Sequence, residues 1–225
     1  MSSPLVSIIC LCYNHEEFVK DTLLSVWEQT YRNIEVIIVD DGSQDKSVQV
    51  IQQFLQDNTA DFPVTTLFLR QNVGNCTAFN QGWRMARGKY VIDLATDDVM
   101  LNDRVEKQIS FFETLPEDYG VIFTESQYMT EQGRLLEYHF EDRYWHIQPV
   151  PEGDVYQEVL SRYFISSPTM MIRNQVLQRL GGYDENLAYE DFDFWVRSAR
   201  YYKYAYLDVC TTLVREVKHS MSRKL

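Results

Sequence analysis

The sequence offers little to carry it through a bilayer or to staple it together. No apolar run among its 225 residues approaches the roughly 20 of a membrane-spanning helix. Met1 to Leu5 has neither the basic nor the long apolar stretch of a secretory signal, so a cytoplasmic location is expected. Nine Gly and six Pro are too few for a collagen-like repeat or a low-complexity linker. Cysteine is scarce, at four residues. Cys10 and Cys12 share one face of an apparent strand, where a mutual disulfide is sterically poor. No Cys/His cluster supplies four zinc ligands, so these two, Cys76 and Cys210 are expected to be buried free thiols. Positive charge is also in deficit, with 21 Lys and Arg against 33 Asp and Glu. The resulting net charge of -12 opposes unaided binding to nucleic acid or anionic lipid, because phosphates would meet a repulsive field. A phosphate-bearing ligand needs a metal ion or a local basic patch.

What is present is 45% hydrophobic residues, enough for a substantial core. The charge is unevenly spread: residues 1–195 hold 14 basic and 31 acidic side chains (-17), and residues 196–225 hold 7 and 2 (+5). The basic end reads either as a solvated helix face or as a patch for phosphate or a membrane surface.

Apolar runs of strand length alternate with amphipathic stretches through the first hundred residues. Leu5 to Cys12 is apolar on both faces and suits the middle of a parallel sheet. Asn14 and Glu17 suggest an N-cap opening a helix to about Glu28. Strands are expected at 35–39, 64–69 and 89–94, with helices at 45–55 and 75–86, giving right-handed βα crossovers. Beyond Leu101 the pattern predicts a helix at 102–114, strands near 120–124 and 169–172, and a strand pair at 129–138 turning at Gly133. Further helices are expected near 154–163, 174–180 and 191–202, a loop over 139–153, and a strand pair at 204–214. No repeat or linker interrupts the chain, and one domain spanning 1–225 is expected.

Ligands of such sheets bind beyond the strand carboxyl ends. That picks out Tyr13-Asn14, Asp40-Asp41-Gly42-Ser43, Gln71-Asn72-Val73-Gly74 and Thr96-Asp97-Asp98. Paired carboxylates repel unless a cation or several donors lie between them. The competing reading of Asp40 to Ser43 is helix-cap and turn chemistry. A third acidic cluster, Glu190-Asp191, opens a helix and is suited to general base chemistry.

PLVSIICLCYN, EVIIVDDGSQD, QNVGNCTAFNQGWRMARGKYVIDLATDD and GGYDENLAYEDFDFWVR together resemble glycosyltransferase family 2, from about Pro4 to His219. The resemblance implies an α/β GT-A, Rossmann-like nucleotide-diphospho-sugar transferase fold with a mostly parallel central sheet flanked by helices. It implies inverting, metal-dependent transfer of a sugar from a nucleotide donor, UDP by default, to a hydroxyl of a glycan, polysaccharide or lipid-linked acceptor. Residues 1–100 then bind the donor and 101–225 carry the acceptor and base. Leu11, Tyr13, Asp41, Asn72, Gly74 and Asp97 form the implied nucleotide site. Asp97, Asp98 and His219 are implied around Mg²⁺ or Mn²⁺, with Asp191 as base beside Glu190. The chain departs from the common Leu-Asp-Ala-Asp-Asp by reading Leu94-Ala95-Thr96-Asp97-Asp98, and Asp93 is expected to point elsewhere. Tyr144, Trp145 and Ser167 are expected on the acceptor side, because sugars stack on aromatic faces. Peripheral membrane association through the basic end and a homodimer complete the partner expectations. The competing readings are a non-catalytic sugar- or nucleotide-binding module and a nucleotidyltransferase. The latter lacks support because Tyr13 to Glu17 has no Gly or Arg to cradle a triphosphate.

Overall fold

The computed structural model describes residues 3–140, 149–188 and 190–217. Among these, the first half of the chain runs β1 (Val6–Cys12), α1 (Val19–Trp27), β2 (Ile34–Asp40), α2 (Ser47–Asp57), β3 (Val64–Phe68), α3 (Asn75–Trp83) and β4 (Tyr90–Ala95). The second half adds β5 (Val99–Met100), α4 (Arg104–Phe112), β6 (Tyr119–Thr130), β7 (Leu135–Tyr138) and α5 (Tyr156–Ser161). It ends with a 3₁₀ turn (Ser167–Thr169), β8 (Met171–Arg173), α6 (Asn174–Leu180), α7 (Asp191–Ser198) and β9 (Lys203–Glu216).

One sheet has the order β3-β2-β1-β4-β8-β6-β9-β5, with β7 added on β6. Its β3-β2-β1-β4 half is parallel, as expected. The remainder is mixed: β8 runs antiparallel to both β4 and β6, whereas β9 runs parallel to β6. The chain order reverses across β1, which lies between β2 and β4, so the switch point lies where β1 and β4 end.

Period-two alternation divides the core. Ile9, Leu11, Ile37, Val39 and Val91 face a layer containing Phe79, Tyr183, Phe194 and Trp195. Ile8, Cys10, Val36, Ile38, Ile92 and Leu94 face Leu23, Val26, Phe54, Val105 and Phe112. Burial on both faces explains why these strands read as unbroken apolar runs.

Several sequence expectations are corrected. The strand expected at 120–124 and the first arm of the pair expected at 129–138 are one continuous strand, β6. The first helix begins at Val19, not at Asn14. Asn14 has φ +58° and its side chain accepts the Gln44 N–H, so it caps the neighbouring loop instead. The expected terminal strand pair is a single strand, β9, whose register against β6 slips around Glu125, absorbing extra residues without a turn. Cys210 is only half-buried, whereas Cys10, Cys12 and Cys76 are buried, and all four are free thiols. No helix among the described residues is long and apolar enough to cross a membrane.

Candidate functional site

The strand ends converge on a cavity of about 300 Å³ lined by residues of both halves, among them Leu11, Asp93, Asp98, Tyr183, Glu190 and Asp191. Its acidic side is built by α3 and α7. Asn80 in α3 donates to the Tyr183 carbonyl and accepts from the Tyr183 N–H (2.8 and 2.9 Å), locking the Gly181-Gly182-Tyr183 turn. Gly182 is required there, since its φ is +87° and a Cβ would lie 2.3 Å from Asn80 Oδ1. Arg197 holds the same turn from α7, donating to the carbonyls of Leu180 and Gly182. Phe79 stacks on the Tyr183 ring at 4.1 Å, and the Tyr183 hydroxyl donates to Asp93 Oδ2 at 3.2 Å.

Asp93 therefore lines the same cavity as Asp98 and Asp191, contrary to the expectation that it points elsewhere. Its place on β4 shares a sheet face with Val91, opposite Ile92 and Leu94. Burial raises its carboxyl to about 7, with the Asp191 charge adding to the effect and the Tyr183 hydrogen bond opposing it. Glu190 is pushed well above the carboxylate range by burial, then by Asp191 and Asp93, while Asn75 Nδ2 donates to it at 2.6 Å. Asp191 is also raised by burial, which the neighbouring Ser167 and Glu190 side chains oppose, and its Oδ1 makes no hydrogen bond of normal geometry. Among the described residues the Ser167 hydroxyl is likewise buried without a hydrogen bond of normal geometry and lines the cavity, where the acceptor side was expected.

The Asp97-Asp98 turn is clamped by Arg215. Its backbone N–H donates to Asp98 Oδ1 at 2.9 Å. Its guanidinium donates to the carbonyls of Asp97 and Glu131, both at 2.9 Å, and lies 4.8 Å over the Phe18 ring. Asp98 is buried, and burial followed by the Asp97 charge raises its pKa well above the usual range. Asp97 keeps 16% of its side chain exposed, with His15 Nε2 3.8 Å from its Oδ2. Adjacent carboxylates that repel one another are a hard-oxygen set suited to Mg²⁺ or Mn²⁺. No group of three or more ligand-type side chains converges among the described residues.

The Asp41 carboxylate accepts the N–H groups of Val73 and Gly74, at 2.7 and 3.0 Å, tying the strand-end loops of β2 and β3 together. Tyr13 is 42% exposed, Asn72 is exposed, and Leu11 is buried on the cavity wall. The structure thus brings together Leu11, Asp98, Ser167, Glu190 and Asp191 in one cavity, with Asp97 beside it. Tyr144, Trp145 and His219 lie outside the described residues. Sequence reasoning missed Asp93, Asn75 and the Tyr183 hydroxyl. A charged residue inside the apolar run of β4 was the available signal for Asp93; the other two depend on packing between distant segments.

The profile described as glycosyl transferase family 2 matches residues 7–181. An uncharacterized glycosyltransferase of Methanocaldococcus jannaschii is 30% identical over 205 residues, covering 88% of this chain and 65% of that protein. A putative teichuronic acid biosynthesis glycosyltransferase of Bacillus subtilis, TuaG, is 32% identical over 169 residues, 75% of this chain and 62% of that protein. The chain thus spans somewhat under two thirds of the length of these relatives. Among solved structures, S. aureus TarS 1-349 in complex with UDP superposes with a TM-score of 0.73 at 19% identity, covering 94% of this chain and 60% of that one. The mannosyltransferase PcManGT of Pyrobaculum calidifontis, in complex with GDP-Man and Mn²⁺, gives 0.74 at 17% identity, covering 100% and 60%.

Proposed function

This chain belongs to glycosyltransferase family 2 and has the GT-A fold, and from that premise we propose that it transfers a sugar from a nucleotide-diphospho-sugar to an acceptor hydroxyl with inversion. The observation that carries the reading is Asp191: a buried carboxylate with an oxygen that makes no hydrogen bond of normal geometry, on the wall of a cavity at the strand carboxyl ends. Asp191 takes the proton of the acceptor hydroxyl as its oxygen bonds to the anomeric carbon. The bond from that carbon to the diphosphate breaks on the opposite face, releasing a nucleoside diphosphate. Burial, by raising Asp191, makes it a stronger base than a solvated carboxylate.

Leu11, Tyr13, Asp41, Asn72 and Gly74 bind the nucleoside end in this reading, with Asp41 also holding the loop that carries Val73 and Gly74. Asp97 and Asp98 hold a divalent cation, Mg²⁺ or Mn²⁺. When bound, it neutralises negative charge on the departing diphosphate. Such an ion reconciles an acidic chain with an acidic donor. The acceptor is a glycan, polysaccharide or lipid-linked sugar entering past Tyr163 and Ser167. The chain works in the cytoplasm.

A thermal-shift screen of UDP- and GDP-sugars with and without Mn²⁺ tests the reading. It expects metal-dependent stabilisation by one nucleotide class. Absence of any nucleotide response would overturn it.

A further inference from the structure

His15 lies immediately beyond β1, at the switch point, where no part of the proposed reaction yet uses it. Its backbone is fixed by the segment after β2. Asn14 N–H donates to Ser43 Oγ (2.9 Å), His15 N–H to Ser47 Oγ (2.8 Å) and Glu16 N–H to Asp45 Oδ2 (3.0 Å). In the other direction, the N–H groups of Gln44 and Lys46 donate to the side chains of Asn14 and Glu16 at 2.8 and 2.9 Å. The left-handed Asn14, φ +58°, is the price of this arrangement.

The ring is oriented as firmly as the backbone. Nδ1 lies 2.9 Å from Thr96 Oγ1, and Thr96 is fully buried. With Nδ1–H donating to that hydroxyl, the lone pair falls on Nε2. Nε2 faces Asp97 Oδ2 at 3.8 Å, beyond hydrogen-bonding distance. Two donor atoms sharing one cation, each about 2.1 Å from it, lie about 3–4 Å apart. Both side chains remain partly open to solvent, at 22% and 16% exposure.

We propose that His15 Nε2 is a protein ligand of the divalent cation together with Asp97, with Thr96 as the residue that orients the imidazole. The inference rests on the glycosyltransferase reading, which supplies the ion and its diphosphate. An imidazole beside a carboxylate suits Mn²⁺ better than Mg²⁺, whose sites are built of oxygen. The chain should therefore prefer Mn²⁺, and the preference should depend on His15.

The test is pulsed electron paramagnetic resonance on Mn²⁺ bound to the full chain with UDP or GDP. A directly bonded ¹⁴N coupling is expected in the wild type and in His219→Gln, and is lost in His15→Gln. Mn²⁺ affinity, read from the free-ion signal, should fall at least about tenfold in His15→Gln and by a similar factor in Thr96→Val. The Mn²⁺-over-Mg²⁺ preference should shrink with it. The wild-type and His219→Gln spectra carry the result even if His15→Gln fails to fold. No nitrogen coupling in a Mn²⁺-loaded wild type, or coupling that survives His15→Gln, overturns the proposal and leaves the transferase reading standing. Failure of the wild type to take up Mn²⁺ with either nucleotide overturns both.

Discussion

The Tyr183 hydroxyl reaches from the turn before the base helix to Asp93 on β4, donating to Oδ2 at 3.2 Å. The bond joins two segments ninety residues apart and sets a third carboxyl beside Glu190 and Asp191. Like charges this close cannot all be ionised at little cost, so protons are held within the group.

That retention makes stability depend on pH. Burial lifts Asp93 to about 7 in the folded chain, whereas an unfolded Asp titrates near 4. The folded state binds the extra proton between those values, so its contribution is whole below about pH 4 and is lost as pH rises through 7. Asp93→Asn mimics the protonated form and keeps an acceptor for Tyr183. It should match the wild type at pH 4 and exceed it at pH 8 by about 2–4 kcal/mol. For a chain of this size that is about 4–16 °C in Tm. Melting curves from pH 4 to 8 with the same slope for both proteins would count against the assignment.

Asp191→Asn should reduce transfer by at least about 10²–10⁴-fold, the usual contribution of a general base. It should leave calorimetric UDP or GDP affinity within about twofold, since the change at Asp191 conserves shape. Because burial raises Asp191, the acidic limb of the wild-type kcat/KM profile should lie above the ordinary carboxylate range. Parallel loss of binding and transfer in Asp191→Asn would remove the division of roles.

The strands β1, β2 and β4 were legible because both faces of each are largely buried and their residues say so: Ile8, Cys10, Ile38 and Leu94 look one way, Ile9, Leu11, Ile37 and Val91 the other. The acidic strand ends were legible for the same reason, as polar residues breaking apolar runs. Asp93 was misplaced because alternation gives a residue's face but not what covers it. Only packing of the turn around Tyr183 and of α7 against that face makes it part of the cavity. The start of α1 was misread because a capping motif is local, whereas Asn14 and Glu16 are claimed by Gln44 and Lys46. The contacts of Arg215 depend on the parallel pairing of β9 with β6, a contact between segments far apart in the sequence.

Arg215 links that pairing to the metal turn. Its side chain is buried, and three of its nitrogens bond Asp97 O, Glu131 O and Asp21 Oδ2. Arg215→Ala strands two of those acceptors and removes positive charge near Asp98, costing about 3 kcal/mol. That corresponds to about 6–12 °C in Tm. Arg215→Lys should recover little, because the three acceptors are met by three separate nitrogens of a planar guanidinium, a spread that one compact ammonium does not have. Mn²⁺-dependent nucleotide affinity should fall in both variants, measured by calorimetry at a temperature where each is folded; unchanged affinity would sever Arg215 from the turn.

Gly42 tests whether the base-side loop matters for the nucleotide. Its φ is +69°, and a Cβ there would lie 2.3 Å from the Gln71 carbonyl carbon and 2.6 Å from the Asn72 nitrogen, both backbone atoms that cannot rotate aside. Gly42→Ala must therefore displace the 71–74 segment, the one whose Val73 and Gly74 N–H groups the Asp41 carboxylate holds. Freed of those donors, Asp41 becomes a buried charge without partners, and the cost should be about 2–4 kcal/mol. Nucleotide affinity should fall more than the stability loss explains, because the displaced loop carries Asn72 and Gly74. Asp41→Asn is the complementary variant: it leaves Gly42 unchanged but keeps only one acceptor oxygen, so one of the two N–H groups of Val73 and Gly74 loses its partner. If both variants melt earlier yet bind UDP and GDP as the wild type does, the loop is structural and the nucleoside lies elsewhere in the cleft.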